Sequence, residues 1–204
     1  MQGANLIVFE GPDGTGKSQL SKNICEWLNR RGGDAIRLSF PGNVESTLGH
    51  LVHKIHHHHI GQFQIPTINP LSLQILHIAA HIDEIDRAIR PAMKAGKWVV
   101  LDRFWWSTWV YGKAAGVNEK CLDLMIEAER VYWGDLVPAA IFLVKRSDPI
   151  RREQPQPQFD QLSQLYEELA QRQRKSLVVH KIENRELRES QNQITAILDR
   201  LIDT

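Results

Sequence analysis

The residues from Gly11 to Ser18 constrain the fold of this chain more than any other segment. They read Gly-Pro-Asp-Gly-Thr-Gly-Lys-Ser and match the pattern G-x-x-x-x-G-K-[ST] at every fixed position. An apolar run, Leu6–Phe9, precedes the motif, and apolar residues recur at helical spacing from Ser18 to about Arg30. A buried strand, a glycine-rich turn and a helix in this order predict the first unit of a parallel α/β sheet.

The residue types in this motif suit the binding of a phosphate chain. Glycines let backbone N–H groups approach a phosphate without obstruction, and the following helix adds the positive end of its dipole. Lys17 is predicted to bridge the β- and γ-phosphates of ATP, and the Ser18 hydroxyl to ligate Mg²⁺. The alternative is a glycine turn that caps the helix and binds nothing. The predicted ATP-binding residues are Gly11, Asp13, Gly14, Thr15, Gly16, Lys17, Ser18 and Gln19.

Apolar runs alternate with helical patterns along the rest of the chain. Strands are predicted at residues 6–9, 35–40, 98–101, 139–144 and 180–182. Helices are predicted at 18–30, 46–57, 71–95 with a break or the start of a new turn at Pro91, 118–133 with Asn118 as N-cap, 160–174 and 190–202, and a loop at 61–70. This alternation predicts a three-layer P-loop NTPase fold, in which helices cover both faces of a parallel five-stranded sheet. Because no linker or repeat divides the chain, residues 1–204 are expected to form a single domain.

Charge and cysteine content limit the partners and the compartment. The chain has 25 Lys and Arg against 24 Asp and Glu, so no global positive field attracts a nucleic-acid polymer or a membrane. Two cysteines, Cys25 and Cys121, are too few for a disulfide scaffold and fit a reducing compartment; both are expected in the core. The N-terminal residues have no basic leader and only a short apolar run, which disfavours a signal peptide. We therefore expect a soluble, cytoplasmic protein.

Several motifs along the chain resemble those of the thymidylate kinase family. Residues 9–18 are similar to its F-E-G-x-D-G-x-G-K-S/T, and Asp102-Arg103-Phe104 after the apolar strand is similar to its D-R-Y. Residues 107–112 resemble its S-T/N-x-x-Y-x-G, with the glycine one position earlier, and residues 166–170 resemble its Y-x-x-L-A helix. The resemblance runs in order over nearly the whole chain. It implies ATP-dependent phosphorylation of a nucleoside monophosphate, dTMP before others, by a homodimer with a short lid at residues 147–158.

The resemblance also implies roles for single residues. Asp13 would bind the acceptor's sugar hydroxyl, Asp102 would hold Mg²⁺ through water, and Arg103 would clamp the acceptor's phosphate with its planar fork. Because residue 14 is glycine, where some members carry arginine, the lid would supply a further arginine. The implied catalytic residues are Lys17, Asp102, Arg103, Arg151 and Arg152, with Arg146 as another lid candidate, and the metal ligands are Ser18 and Asp102. The implied substrate-binding residues are Asp13, Phe40, Ile78, His81, Arg103, Ser107, Thr108 and Tyr111.

Two segments depart from the family pattern. The family's F-P-x-R reads Phe40-Pro41-Gly42-Asn43 here, without its phosphate-binding arginine. The third-helix motif F-S/A-x-x-R, which supplies a stacking ring and a base-bonding arginine, aligns with residues 78–82 and finds neither. The compensating candidates are His81 and Arg87 for the hydrogen bond and Trp105 and Trp106 for the ring. Otherwise the acceptor is a different nucleotide or small metabolite, or the chain binds nucleotides without catalysis.

The histidine run 56–59, with His50 and His53 nearby, admits three interpretations. Consecutive helix positions point in different directions, which argues against a tetrahedral metal site and favours a solvated surface that binds nickel or zinc adventitiously. One imidazole could instead bind the phosphate in place of the arginine that is missing from residues 40–43.

Glu10 and the tryptophans each allow two interpretations. Glu10 is expected either to support Mg²⁺ indirectly or to be a hydrogen-bonded strand-end carboxylate. The tryptophans 105, 106 and 109 are expected to pack around the substrate pocket rather than to bind a single-stranded nucleic acid. The chain has no N-K-x-D motif, which disfavours a GTPase.

Overall fold

Five parallel strands form the centre of the fold. The computed structural model of the protein describes residues 4–42, 44–151 and 154–202. The strands are β1 (Ala4–Glu10), β2 (Ala35–Ser39), β3 (Trp98–Asp102), β4 (Pro138–Lys145) and β5 (Val179–Glu183). They make one sheet in the order β2-β3-β1-β4-β5, with every neighbouring pair parallel. The prediction of a parallel five-stranded sheet is confirmed.

The two faces of the sheet bury different apolar side chains. β1 alternates between them, with Leu6 and Val8 in one core cluster and Ile7 and Phe9 in the other. On the Ile7 side lie α1 (Lys17–Arg30) and α8 (Leu187–Ile202). On the Leu6 side lie α3 (Pro70–Glu84), α4 (Arg90–Lys94), α5 (Trp105–Ala114), α6 (Glu119–Trp133) and α7 (Gln156–Gln173), while α2 (Leu48–Phe63) packs on α3. Helices on both faces complete the predicted three layers.

The region of residues 46–95 differs from the prediction in two places. Helix α2 continues to Phe63, and what looked like its end near residue 57 is a kink at His58, where φ is −132° and ψ is 21°. The second difference is a π-helical turn ahead of Pro91, while Pro91 itself marks the start of a new helical turn, which is one of the two predicted alternatives. Residues 85–89 form a π-helical turn in which the Arg90 N–H bonds to the Ile85 carbonyl, five residues back. Pro91 then lies in the first turn of α4, where its missing N–H is tolerated.

Helix α5 follows β3 directly and was not predicted. Its side chains are buried almost all round, including Trp105, Trp106 and Trp109. A helix that is buried on every side has no amphipathic period, so periodicity could not reveal it. Helices α7 and α8 also begin three or four residues earlier than predicted, and α7 takes in the last residues of the predicted lid.

Other local predictions have mixed outcomes. The Asn118 side chain caps α6 by accepting from the backbone N–H groups of Lys120 and Cys121, as predicted. Cys25 is buried, but Cys121 is only half-buried, so its expected core position is wrong. Both thiols are free. Within residues 4–42, 44–151 and 154–202, no helix combines the length and the apolar character needed to cross a membrane.

Candidate active site

The loop between β1 and α1 is folded tightly around its own lysine. Gly11 has φ +138°, and a Cβ there would lie 2.2 Å from the Val144 carbonyl oxygen, so only glycine fits. Thr15 Oγ1 donates to the Pro12 carbonyl at 2.9 Å, and Lys17 Nζ donates to the same oxygen at 2.7 Å. Lys17 is buried at the start of α1, where the free N–H groups of the first turn lie. This geometry suits a phosphate cradle.

The side chain of Asp13 in this loop is held by Arg103, which follows β3, and by Tyr111 of α5. The Arg103 guanidinium forms an ion pair with Asp13 and donates to Ser107 Oγ at 3.0 Å. The Tyr111 hydroxyl donates to the other oxygen of Asp13 at 2.6 Å. Arg103 itself has φ +74°, a left-handed conformation that is strained for arginine, and its N–H is held by the Phe9 carbonyl at 2.9 Å. The sheet thus aims a guanidinium across the loop.

Burial and mutual charge shift the ionisation of this cluster. Burial, reinforced by the nearby Arg103 charge, lowers the pKa of Lys17 to about 8. Burial by itself raises the pKa of Asp13, but the charges of Arg103 and Lys17 outweigh it and hold that pKa below its ordinary value. Asp13 in turn raises the pKa of Arg103 against the effect of burial. The Asp13 carboxylate therefore offsets the repulsion between two closely placed cations, Lys17 and Arg103.

Asp102 and Ser18 fit Mg²⁺ by their chemistry. Asp102 is buried at the end of β3, and its Oδ2 accepts from Arg37 Nη2 at 2.7 Å. Its Oδ1 is buried without a hydrogen-bond partner among the described residues, which a metal-bound water would supply. Ser18 and Asp102 both line one cavity beside the phosphate-binding loop. Mg²⁺ uses one or two carboxylates with waters and phosphate oxygens, so a hydroxyl and one carboxylate are sufficient protein ligands.

The contacts of Glu10 favour the second of its two interpretations, a hydrogen-bonded carboxylate at the end of a strand. This carboxylate at the end of β1 is completely buried and accepts from the backbone N–H groups of Phe104 and Ser107 at 2.7 and 3.0 Å. It also accepts from Ser107 Oγ at 2.8 Å. Burial raises the pKa of Glu10. Because its hydrogen bonds go to the start of α5, Glu10 positions that helix as a hydrogen-bonded strand-end carboxylate.

A cavity of about 420 Å³ opens beside the loop, between β2, α2, α3 and α5. Most of the residues implied by the family resemblance for acceptor and metal binding line it. They are Asp13, Ser18, Phe40, His81, Asp102, Arg103, Ser107, Thr108 and Tyr111. Sequence reasoning missed several further lining residues, and these are Arg37, Ser39, Gln74 and His77, while His53, His56 and His57 were considered only as a group.

Helix α3 presents a different face to the cavity than the predicted one. Ile78, implied above as a substrate-binding residue, packs in the apolar core and is not among the residues that line the cavity. The lining residues on this helix are Gln74, His77 and His81. His77 and His81 have the same four-residue separation as the ring and the arginine of the family motif, one residue earlier than the alignment used. An alignment shifted by one residue, so that polar side chains of α3 face the pocket, would have identified His77 and His81 from the sequence.

The other compensating candidates lie elsewhere. Arg87 forms an ion pair with Glu84 within its own helical turn and does not line the cavity. Trp105 and Trp106 are buried in the core, which supports the packing interpretation of the tryptophans. An aromatic stack does exist, between the Phe40 and His81 rings, whose centroids are 4.0 Å apart at an interplanar angle of 11°.

The histidines divide at the kink in α2. His53, His56 and His57 line the cavity, whereas His58 and His59 do not. His56 Nδ1 lies 3.1 Å from His77 Nε2, so a hydrogen bond links α2 to α3. Burial and neighbouring cations lower the pKa of His56 to about 4 and that of His77 to about 2. Within the described part of the chain, no group of three or more His, Cys, Asp and Glu side chains is suited to hold a metal ion. His56 and His57 are exposed although they line the cavity, so the interpretation as a solvated surface still applies to these two side chains.

The predicted lid lies against the phosphate-binding loop. The Ile150 N–H donates to the Gly14 carbonyl at 2.8 Å, and a Cβ on Gly14 would lie 2.7 Å from Pro149 Cβ. Arg151 is exposed in this segment, and Arg152 lies outside the described residues. Arg146 instead donates to backbone carbonyls, including that of Asp148 at 2.9 Å. Glycine at position 14 therefore lets the lid approach the loop closely.

A phosphate-binding loop between the central strand and its helix, with a carboxylate ending the neighbouring strand, places the protein among the P-loop NTPases. Within that class the chain belongs to the thymidylate kinase family, whose sequence model matches residues 9–194. It is 28% identical over 211 residues to a probable thymidylate kinase of Thermococcus kodakarensis, an alignment covering 97% of this chain and 98% of that relative.

One further sequence and one solved structure are similar to this chain. The thymidylate kinase of Chlorobium luteolum is 31% identical over 140 residues, an alignment that covers 67% of this chain and 60% of that relative. The crystal structure of thymidylate kinase from Ehrlichia chaffeensis superposes with a TM-score of 0.77 at 20% identity, covering 96% of this chain and 99% of that one. The structural similarity shows that the fold is shared.

Proposed function

We propose that this protein transfers the γ-phosphoryl group of ATP to dTMP and releases ADP and dTDP. The observation that carries the proposal is the position of Arg103, which lines the cavity beside the phosphate-binding loop and is ion-paired with Asp13 of that loop. A guanidinium there holds a second anion next to the γ-phosphate. Membership of the thymidylate kinase family supports dTMP as the acceptor.

The chain's own residues account for the transfer mainly by position and charge. The amides of residues 11–18 and the Lys17 ammonium bind the donor phosphates, while Arg103 holds the acceptor phosphate in line with them. Ser18 and Asp102 would hold Mg²⁺, which neutralises charge on the β- and γ-phosphates when it is bound. Asp13, which is held by Tyr111 and Arg103, is the proposed acceptor of a hydrogen bond from the sugar hydroxyl of the acceptor nucleotide.

The lid supplies the remaining part of the proposed mechanism. Residues around Pro149 lie on Gly14 and can exclude water from the donor phosphates, which prevents ATP hydrolysis. Arg151 and Arg152 are the proposed sources of a further positive charge for the transition state. Arg151 directly follows Ile150, whose N–H is hydrogen-bonded to the Gly14 carbonyl of the loop.

The test is ADP release from Mg-ATP against a panel of deoxy- and ribonucleoside monophosphates. The proposal expects dTMP to give the highest kcat/KM. A different preferred nucleotide would keep the reaction class and change the acceptor, a possibility favoured by the histidines that line the site in place of arginines. Binding of ATP without phosphoryl transfer to any acceptor would show a non-catalytic nucleotide binder and overturn the proposal.

We also infer a homodimer in the cytoplasm. Large apolar side chains are exposed on three adjacent helices, namely Leu51 on α2, Ile75 on α3 and Leu124 and Val131 on α6. A second copy is the proposed partner for this surface. Light scattering at working concentration should give twice the chain mass of 23.4 kDa, and a monomer mass would contradict the dimer. The free thiols of Cys25 and Cys121 suit a reducing compartment.

A further inference from the structure

A stripe of polar side chains on α3 forms one wall of the cavity. Gln74, His77 and His81 are spaced three and four residues apart and therefore share a helix face. Gln74 is only 5% exposed, yet none of the described residues forms a hydrogen bond with its side-chain amide. Because Gln74 lines the cavity, a group inside the cavity is the hydrogen-bond partner available to this amide. This side chain is therefore poised to bind a polar group inside the cavity.

The Gln74 amide lies at the seam between α3 and α5. A Cβ on Gly112 of α5 would come within 3.1 Å of Gln74 Cγ and 3.6 Å of its Cδ, so the side chain packs on the bare backbone of that glycine. Thr108, one turn earlier on α5, is 4% exposed and lines the same cavity. The seam thus brings a carboxamide and a hydroxyl to the part of the cavity wall between α3 and α5.

His81 lines the same cavity as Gln74 and Thr108, and its imidazole ring is held on two sides. Its Nδ1 lies 3.1 Å from the carboxylate of Glu129, which is fully buried and also accepts from Trp133 Nε1 at 3.2 Å. The Phe40 ring stacks on its face. Because Nδ1 is used by Glu129 and the face by Phe40, Nε2 is the polar atom left for a ligand, and it has no partner among the residues that the structure describes.

We propose that Gln74 and His81 read the base of the acceptor nucleotide, with Glu129 as the positioning residue of His81. A carboxamide donates and accepts side by side, so it matches a base edge that carries an N–H next to a C=O, as the imide edge of thymine does. Recognition then depends on hydrogen bonds from Gln74 and from an imidazole in place of a guanidinium. The inference rests on the proposed function, since it assumes that the cavity holds a nucleoside monophosphate.

The experiment compares dTMP with deoxyribose 5-phosphate, which has the same sugar and phosphate but no base. The ratio of their dissociation constants, measured by calorimetry in the presence of Mg-ADP, isolates the contribution of the base. Gln74→Leu should reduce this ratio about tenfold, because one buried donor–acceptor pair is lost. Binding of deoxyribose 5-phosphate and the KM for ATP should stay within twofold of the wild-type values. Gln171→Leu on the exposed surface of α7 is the matched control and should change neither ligand.

The role of Glu129 has its own readout. Glu129→Gln should raise the KM for dTMP several-fold while kcat and the KM for ATP stay unchanged, since only the orientation of the His81 ring is affected. A general loss of structure would lower kcat and impair ATP binding as well, and thermal denaturation checks this directly. An unchanged KM for dTMP in a folded Glu129→Gln protein would overturn the positioning role.

The outcomes separate this inference from the proposed function. If the wild-type protein phosphorylates dTMP and Gln74→Leu keeps the full base-dependent ratio, base reading by Gln74 is wrong and the kinase function stands. If the wild-type protein binds dTMP and deoxyribose 5-phosphate equally, no base is read and the inference fails. If it binds neither, the inference and the proposed function fail together.

Discussion

The side-chain amide of Asn184 donates a hydrogen bond of 2.7 Å to the backbone carbonyl of Thr15, in the phosphate-binding loop. Asn184 follows β5 and is 1% exposed, and its backbone N–H bonds to the Lys145 carbonyl at 2.8 Å. A Cβ on Gly16 would lie 2.4 Å from Nδ2 of Asn184, so the Asn184 side chain leaves room only for glycine at position 16. The shape of the loop therefore depends on a residue from the opposite end of the chain.

Asn184→Ala removes this contact and should loosen the loop. A buried carbonyl left without its donor destabilises a protein by about 1–3 kcal/mol, so the melting temperature should fall. The KM for ATP should rise more than the KM for the acceptor, because the altered loop binds the donor phosphates. Asn192→Ala, the same change at an exposed site on α8, serves as the control and should have neither effect. Equal rises in both KM values would contradict a role confined to the loop.

Gly14 tests the contact between the loop and the lid. Gly14 and Gly116 both have φ +82°, so alanine at either site carries the same left-handed backbone penalty, about 1–2 kcal/mol. At Gly14 the added methyl group would also meet Pro149, at 2.7 Å, whereas at Gly116 it would have none of the described residues within 4 Å. Gly14→Ala should therefore lower kcat and increase ATP hydrolysis without acceptor, as Gly116→Ala should not. Identical stability losses and identical kinetics for the two variants would show that the lid contact is unimportant.

Arg103 and Lys17 should be indispensable for transfer in different ways. Arg103→Ala removes the clamp on the acceptor phosphate and should lower kcat/KM for the acceptor by roughly 10³-fold or more, as for arginines that act on transferring phosphoryl groups. Lys17→Ala should abolish transfer by removing the cation that bridges the donor phosphates. Circular dichroism and thermal denaturation should show folded proteins in both cases. Near-normal kcat/KM in Arg103→Ala would falsify its assigned role.

The parts of the fold that could be predicted from the sequence are those fixed by local rules. The segment from β1 to α1 follows from an apolar run, a glycine-rich motif and a helical period, all within neighbouring residues. Asp102 and Arg103 could be placed beside the loop because the carboxyl ends of adjacent parallel strands meet at one edge of the sheet. The same rule does not extend to side chains that reach the site from helices.

The missed residues depend on tertiary contacts that no local pattern encodes. Arg37 reads as one polar residue in an edge strand, and its contact with Asp102 depends on the pairing of β2 with β3. His56 meets His77 only because α2 packs on α3. The histidine run alone was compatible with a surface, and the kink at His58 decides which of its members turn into the cavity.

The pH dependence of stability should reveal the histidines that line the cavity. In the unfolded chain a histidine has a pKa of about 6.5. In the folded protein, burial and the neighbouring His81, His56, Arg103 and His57 lower the pKa of His77 to about 2. As the pH falls below about 6.5 the unfolded chain takes up a proton at this position that the folded protein does not, so stability declines as the pH falls.

The decline attributable to His77 is about 1 kcal/mol per pH unit between pH 6.5 and 5.5, and His56 acts in the same direction because its pKa is lowered to about 4. His77→Gln should therefore lose less stability over this range than the wild-type protein, measured by urea denaturation at pH 7.5, 6.5 and 5.5. His58→Gln, beyond the kink and outside the cavity, should follow the wild-type curve. If His77→Gln follows it too, the His77 ring accepts protons in the folded state. In that case its burial does not keep it neutral.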